Sequence, residues 1–372
     1  MRNSLEKLYK QTVIKYPYLT RDNFYRILFL YHGINHDSRD SFPDPKTRIE
    51  VMLSLKNVSD IPLIVLLKPD SPFRLIDSGK TKTVLYNNEY LDEVTFYKQT
   101  VFNLGKPEPF YFFVREINDD IVLKLNPVQL CDFYKGSPKD SPCNFCFRND
   151  AVSRFKNINA QELIGRISRT ESKNKTGNLK KTDEVSIITG TYNNDEEYLR
   201  EICKLVKGIK KMVPKKARVV VGSHEVKTKN DFRLLKKSGV TDYAFPVESF
   251  SDLVRSQNMR NRKGRVKIDR IIRSIGYSVE IFGADHVIVR MIAGLGDLLN
   301  SGFRDKIKYI ASLGKDKKGP KWNINIYMPS THALYKVSEK KPLFSVDYLF
   351  EYCSIINSMV PKEKQVRFKI SP

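Results

Sequence analysis

The chain has 372 residues and a formal net charge of +23 at pH 7, too long for one small core, so two domains or a large barrel with an added domain are expected. Hydrophobic residues at 41% and aromatics at 11% exclude a disordered chain. No apolar run approaches the ~20 residues that span a bilayer, and the N-terminus has no signal-peptide core, so a cytoplasmic protein with no membrane partner is expected.

Residues 4–32 read as two helices, the first with an apolar stripe of Leu5, Leu8, Val13 and Ile14. The second carries Phe24, Ile27, Leu28 and Leu30, with Thr20 placed as its N-cap. A polar loop over 33–46 leads into short β-like runs at 49–55, 63–67, 83–86, 94–97 and 110–114. Residues 1–118 are therefore expected to form an α+β domain. It holds no cluster of His, Cys and carboxylates, and reads as a recognition or docking domain or as packing for its neighbour.

From residue 119 to 372 the pattern changes to strands alternating with amphipathic helices. Strands are expected at 121–127, 185–189, 218–221, 243–247, 287–292, 323–328 and 366–370. Helices are expected after Asn159, with Leu163, Ile164 and Ile167 inward, and at 196–212, 231–238, 266–282, 298–313 and 347–359. Gly239 sits where a helix C-cap belongs. Residues 169–183 read as an exposed polar linker. Repeated βα units imply a parallel sheet, and with no dinucleotide-type G-x-G-x-x-G after the first strand they point to a TIM-like (β/α) barrel, partial or full.

The first of these strands runs into Cys131, Cys143 and Cys146, spaced C-x11-C-x2-C. In such barrels chemistry sits at the C-terminal strand ends. Three soft thiolates there suit an iron–sulfur cluster with one open coordination position. Five cysteines without an export signal do not suggest a disulfide framework. The competing reading is a structural zinc site, which needs a fourth ligand. Cys203 and Cys353 fall on apolar helix stripes and read as core, and His224, His286 and His332 lack ligand spacing to the thiols. The arginines at 260, 262 and 265 read either as a carboxylate or phosphate clamp or as a solvated loop.

Taken in order, these segments resemble the radical S-adenosylmethionine (radical SAM) enzymes over residues 121–370. The resemblance implies a [4Fe–4S] cluster on Cys131, Cys143 and Cys146, with S-adenosylmethionine on the open iron and Phe145 beside its adenine. It places Thr189, Gly190 and Thr191, in the manner of the biotin synthase-like branch, at the cofactor's methionine end. Glu248 and Ser249 would contact the cofactor after the fourth strand. Ile292 and Gly294, within Arg290-Met-Ile-Ala-Gly-Leu-Gly-Asp297, would line the adenine pocket, with Asp297 where the family has Glu. The usual first spacing is C-x3-C; the longer gap resembles that of 7-carboxy-7-deazaguanine synthases, and loop length changes closure entropy slowly.

The implied activity is reductive cleavage of S-adenosylmethionine to a 5′-deoxyadenosyl radical that abstracts hydrogen from a substrate. Its electron donor would be a ferredoxin or flavodoxin. No second cysteine group is available for an auxiliary cluster, which disfavours sulfur insertion. The alternative is a zinc-stabilised nucleic-acid-binding protein without catalysis. The positive charge makes RNA a candidate partner in either reading, although the basic residues are spread along the chain as on an ordinary Lys-rich surface.

Overall fold

The computed structural model describes residues 4–36, 50–56, 59–66, 70–78, 81–96, 101–102, 112–117, 120–127, 143, 158–174, 177–192, 194–259, 261–314, 318–327, 344–364 and 367–369. Two helices open the chain, α1 (Ser4–Lys15) and α2 (Arg21–His32). Thr20 caps α2 by accepting from the Asn23 amide at 3.2 Å, as its side chain and position predict. Strands β1 (Asn35–His36), β2 (Glu50–Leu55), β3 (Ser59–Leu66), β4 (Phe73–Asp77), β5 (Lys82–Tyr86) and β6 (Glu89–Phe96) form a sheet of order β1-β4-β5-β6-β2-β3. Every pair in it is antiparallel except β1–β4.

A second sheet contains β7 (Val101–Phe102), β8 (Phe112–Ile117), β9 (Asp120–Leu125), β10 (Glu184–Ile188), β11 (Arg218–Gly222), β12 (Asp242–Glu248), β13 (Val287–Ala293), β14 (Lys321–Ile326) and β15 (Arg367–Lys369). The strands lie side by side in sequence order, and every neighbour from β9 to β15 is parallel. Between them run α3 (Ala160–Asn174), α4 (Asn178–Lys181), α5 (Asp195–Lys210), α6 (Lys229–Ser238), α7 (Asp252–Asn258), α8 (Asn261–Arg265), α9 (Ile268–Phe282), α10 (Ser301–Ala311) and α11 (Val346–Asn357). Right-handed crossovers that always step in the same direction put all their helices on one face and curl the sheet. β15 and β7 are its two edges, so the barrel is partial. β8, on the N-terminal side of residue 118, pairs along its whole length with β9.

The two faces of the curled sheet differ in chemistry. Toward the helices point Val185, Ile187, Val219, Val221, Tyr243, Phe245, Val287, Val289, Met291, Trp322 and Ile324, each 2% exposed or less. Phe232 of α6 packs on Tyr243 and Phe245 at ring distances of 5.2 and 6.1 Å. Each such side chain contributes ~1.5–3 kcal/mol by leaving water. The concave face carries the alternate residues. There Ser186 pairs with Lys124 and Val220, Arg290 with Pro246 and Asn323, and Ile292 with Asn325. A strand covered on both faces ordinarily reads as continuously apolar. These polar positions mark the concave face as a working surface.

Local departures from the sequence reading have local causes. The described part of 169–183 is largely helical rather than linker, with an exposed polar side and a buried one. α3 runs on to Asn174, supported by the i,i+4 pair Glu162–Arg166, and Leu179 of α4 is only 3% exposed. The segment after β12 holds a helix missed in the sequence, α7, capped by the Ser251 hydroxyl on the Val254 amide. The helix expected at 266–282 is α9, which starts at Ile268 after extended Lys267, and the short helix α8 before it is unexpected. α10 starts at Ser301 rather than 298, because Asn300 caps the Phe303 amide. Of the expected stripe of α1, Leu5 is buried but Leu8 and Ile14 are exposed, and Tyr9 with Tyr16 just beyond the helix complete the docking. Among the described residues no helix is long and apolar enough to cross a membrane.

Candidate active site

The C-terminal ends of β9 to β14 open on one rim, and most of the residues singled out in the sequence lie on it. Cys143 is half-buried there, although its loop starts after β9 on the other side of the sheet. It packs against the cluster of Val254, Met259, Ile292 and Leu295, as Tyr327 does, and these residues come from the connections after β12 and β13 and from the ends of β13 and β14. The thiol is thus held over the concave face. Cys131, Phe145 and Cys146 lie outside the described residues. Among the described residues no group of three or more His, Cys, Asp or Glu is arranged to hold a metal ion. Cys203 and Cys353 are elsewhere, as their helix-stripe positions predict. Cys203 is on α5, where burial pushes its thiol up; Cys353 is fully buried in α11, and burial pushes it up further. Neither is poised as a thiolate.

Thr189, Gly190 and Thr191 follow β10. The Thr189 amide donates to the Gly222 carbonyl at 3.1 Å, and its hydroxyl lies 2.8 Å from the Ser223 hydroxyl, which joins the ends of β10 and β11. Gly190 and Thr191 are buried. Below them lies an ion-pair network. Arg262 Nη1 is 2.5 Å from Asp195 Oδ1 and Nη2 is 2.9 Å from Glu225 Oε1, while Lys227 Nζ is 2.7 Å from Asp195 Oδ2. Burial opposes the charge on Asp195, but His224, Arg262 and Lys227 together hold its carboxyl well below the usual carboxylate range. Arg262 is therefore an internal strut and not a free clamp for phosphate, and Arg265 is exposed.

Glu248 ends β12 at a register irregularity and has φ +66°, a left-handed conformation rare for a side chain of its size. Its carboxylate is buried and meets Lys263 Nζ at 2.6 Å. Arg255, 1% exposed, sits beside it and donates to the Val247 and Lys263 carbonyls. Burial lowers the pKa of Arg255, opposed by Glu248, Glu225, Asp252 and Cys143. The strain at Glu248 costs ~1–3 kcal/mol, and such strain clusters at functional sites. The next residue, Ser249, donates to Asp297 Oδ1 at 2.5 Å. Burial pushes the Asp297 carboxyl up to about 6, against the hydroxyl of Ser249 and the amides of Ser251 and Phe250.

Ile292 belongs to the apolar cluster under Cys143. Gly294 has φ +100°, and a Cβ built there would fall 2.4 Å from the Phe344 ring. Gly is thus required both by backbone angle and by the ring that lies on it. Two residues passed over in the sequence also bear on this site, Lys263 at the rim and Arg290 deeper on the concave face. Lys263 carries no motif. Arg290, by contrast, gave a legible signal as a lone charge in a strand otherwise of Val, Ile, Met and Ala.

No family model matches this sequence, and no curated protein matches it. Among solved structures, the fold is similar to the FeFe-hydrogenase maturase HydG from Carboxydothermus hydrogenoformans, with 15% identity and a TM-score of 0.48 over 68% of this chain and 53% of that one. It is also similar to methylornithine synthase (PylB), with 12% identity and a TM-score of 0.43 over 63% and 62% of the two chains. OxsB, a cobalamin-dependent S-adenosylmethionine radical enzyme, aligns at 16% identity and a TM-score of 0.37 over 65% of this chain and 32% of that one. The chain spans about half the length of the HydG structures it matches. Likeness at this level concerns fold alone.

Proposed function

We propose that the chain is a radical SAM enzyme, with a [4Fe–4S] cluster held by Cys131, Cys143 and Cys146 and S-adenosylmethionine bound beside it. The observation that carries this reading is the place of Cys143, packed at the strand ends against the apolar cluster of Val254, Met259, Ile292 and Leu295. A thiol serving as packing alone has no need to cross from β9 to the β13 side. When bound, the cluster and cofactor supply a 5′-deoxyadenosyl radical by one-electron cleavage.

The chain's own residues bind and orient. Glu248, paired with Lys263 at 2.6 Å, offers carboxylate oxygens to an ammonium or hydroxyl donor. Gly190 and its flanking threonines present backbone at the end of β10 without side-chain bulk between. The apolar cluster of Ile292 and Leu295, beside Gly294 with the Phe344 ring lying on it, offers a surface against which a planar ring can lie away from water. Phe145 would complete that surface. A ferredoxin or flavodoxin is the proposed electron donor, the cytoplasm the proposed compartment, and RNA a proposed partner given the charge.

The test is anaerobic reconstitution of the full chain with iron and sulfide. About four irons per chain and reductive cleavage of S-adenosylmethionine are expected. A colourless protein holding one zinc would end this reading in favour of a zinc-stabilised nucleic-acid-binding protein. Salt-dependent retention of RNA measures the charge argument separately.

A further inference from the structure

Arg290 points from β13 onto the concave face, and its guanidinium reaches across β12. A Cβ built on Gly222 of β11 would lie 3.1 Å from its Nη1, so the absence of a side chain at Gly222 is what makes room for it. The nearest carboxylates already have cations of their own. Glu248 is paired with Lys263 at 2.6 Å, and Glu184 with Arg218 at 3.5 Å. Arg290 is left with no ion pair and no hydrogen bond to another described residue. Beside it in register is Asn323, followed by Asn325 next to Ile292. Lys124 adds a second cation on the same face. Burial also lowers the pKa of Arg290, with Glu248 and Glu184 opposing.

A half-buried guanidinium with no carboxylate of its own gains little for stability there, and a strand otherwise built of Val, Ile, Met and Ala could carry an aliphatic residue instead. Its planar fork matches an oxyanion with two oxygens presented side by side, and carboxamides on the neighbouring strand can donate to the same group. Cys143 packs against the apolar cluster that contains Ile292, two residues nearer the rim on the same strand, so a group held by Arg290 lies deeper than the proposed iron–sulfur cluster. We propose that Arg290, flanked by Asn323 and Asn325, anchors an oxyanion of the substrate, a carboxylate or a phosphate, at the floor of the barrel. The inference rests on the reading of this face as the reaction site, not on which cofactor occupies the rim.

The test uses the full chain and two probes, acetate and inorganic phosphate, titrated at constant ionic strength against chloride. The unfolding midpoint is recorded at each concentration. The wild type is expected to show saturable stabilisation by one probe beyond the chloride baseline, and the probe that does so identifies the oxyanion. Arg290→Gln should weaken that binding at least tenfold. Asn323→Asp, which supplies the fork with a carboxylate from the next strand, should abolish it with Arg290 intact and so serves if Arg290→Gln does not fold. Iron loading by Arg290→Gln should equal that of the wild type. Saturable, Arg290-dependent binding in a chain that takes up no iron would retain this inference and remove the radical SAM reading. Binding unchanged in both variants, or absent from the wild type, would overturn the inference whatever the iron content.

Discussion

The Ser249 hydroxyl donates to Asp297 Oδ1 at 2.5 Å and so ties the end of β12 to the turn after β13. Asp297 is 3% exposed, and burial raises its carboxyl from 3.8 to about 6. A raised carboxyl pKa means the folded chain holds the proton to higher pH than the unfolded one. Stability from this group is therefore greatest below pH 4 and is lost as pH rises to about 6. At ~1.4 kcal/mol per pH unit the loss is about 3 kcal/mol. Asp297→Asn should remove it, so urea unfolding of the two proteins should diverge between pH 4 and pH 7 in favour of the variant. Parallel curves across that window would refute the buried-acid assignment.

Lys263→Met should destabilise the chain by about 3 kcal/mol, because it leaves Glu248 buried without its cation. Adding Glu248→Gln should restore most of that loss. The cycle is read by denaturant midpoints of the four proteins. Additive losses would mean that the 2.6 Å pair is not a coupled unit.

Gly294 and Gly296 both have positive φ, +100° and +105°, but different surroundings. A Cβ at 296 meets open space, whereas one at 294 would enter the Phe344 ring. Gly296→Ala should cost the backbone strain alone, ~1–2 kcal/mol. Gly294→Ala should cost ~1–3 kcal/mol more for displacing the ring, and Gly294→Ala with Phe344→Leu should recover part of it. Thermal melts of the three variants measure the difference.

Among the thiols, Cys143→Ala, Cys131→Ala and Cys146→Ala should each lose the reconstituted iron and its visible absorbance. Cys203→Ala should keep both, since Cys203 is on α5 on the helix side of the sheet. Iron and sulfide counts on matched preparations decide this. Loss with Cys203→Ala and retention with Cys131→Ala would show that the third ligand is misassigned.

The parallel strands were legible because β-branched runs such as Arg218–Gly222 alternate with helices carrying strong caps, among them Thr228 and Asp231 of α6 with Gly239 after it. Rim positions such as Gly190, Glu248 and Gly294 could be placed from the motif order alone. What the sequence hid is tertiary. α4 looks polar, and only the burial of Leu179 and Thr182 shows that it is packed. The partner of Glu248 is 15 residues away on a short helix with no signature. The role of Arg290 depends on a glycine two strands across, and strand order is not written at either position.

One long-range contact also bears on how the chain reaches this fold. Phe24 of α2 stacks on Phe350 of α11 with ring centres 5.3 Å apart, and Asn357 donates to the Tyr18 carbonyl at 3.1 Å. On a ribosome adding ~5–20 residues per second, the 326 residues from 24 to 350 take roughly 16–65 s to emerge. Throughout that interval the nascent chain presents the α2 face without the surface that finally covers it. Synthesis that stalls before α11 should therefore yield a chaperone-bound or aggregating product even with β9 to β14 already made.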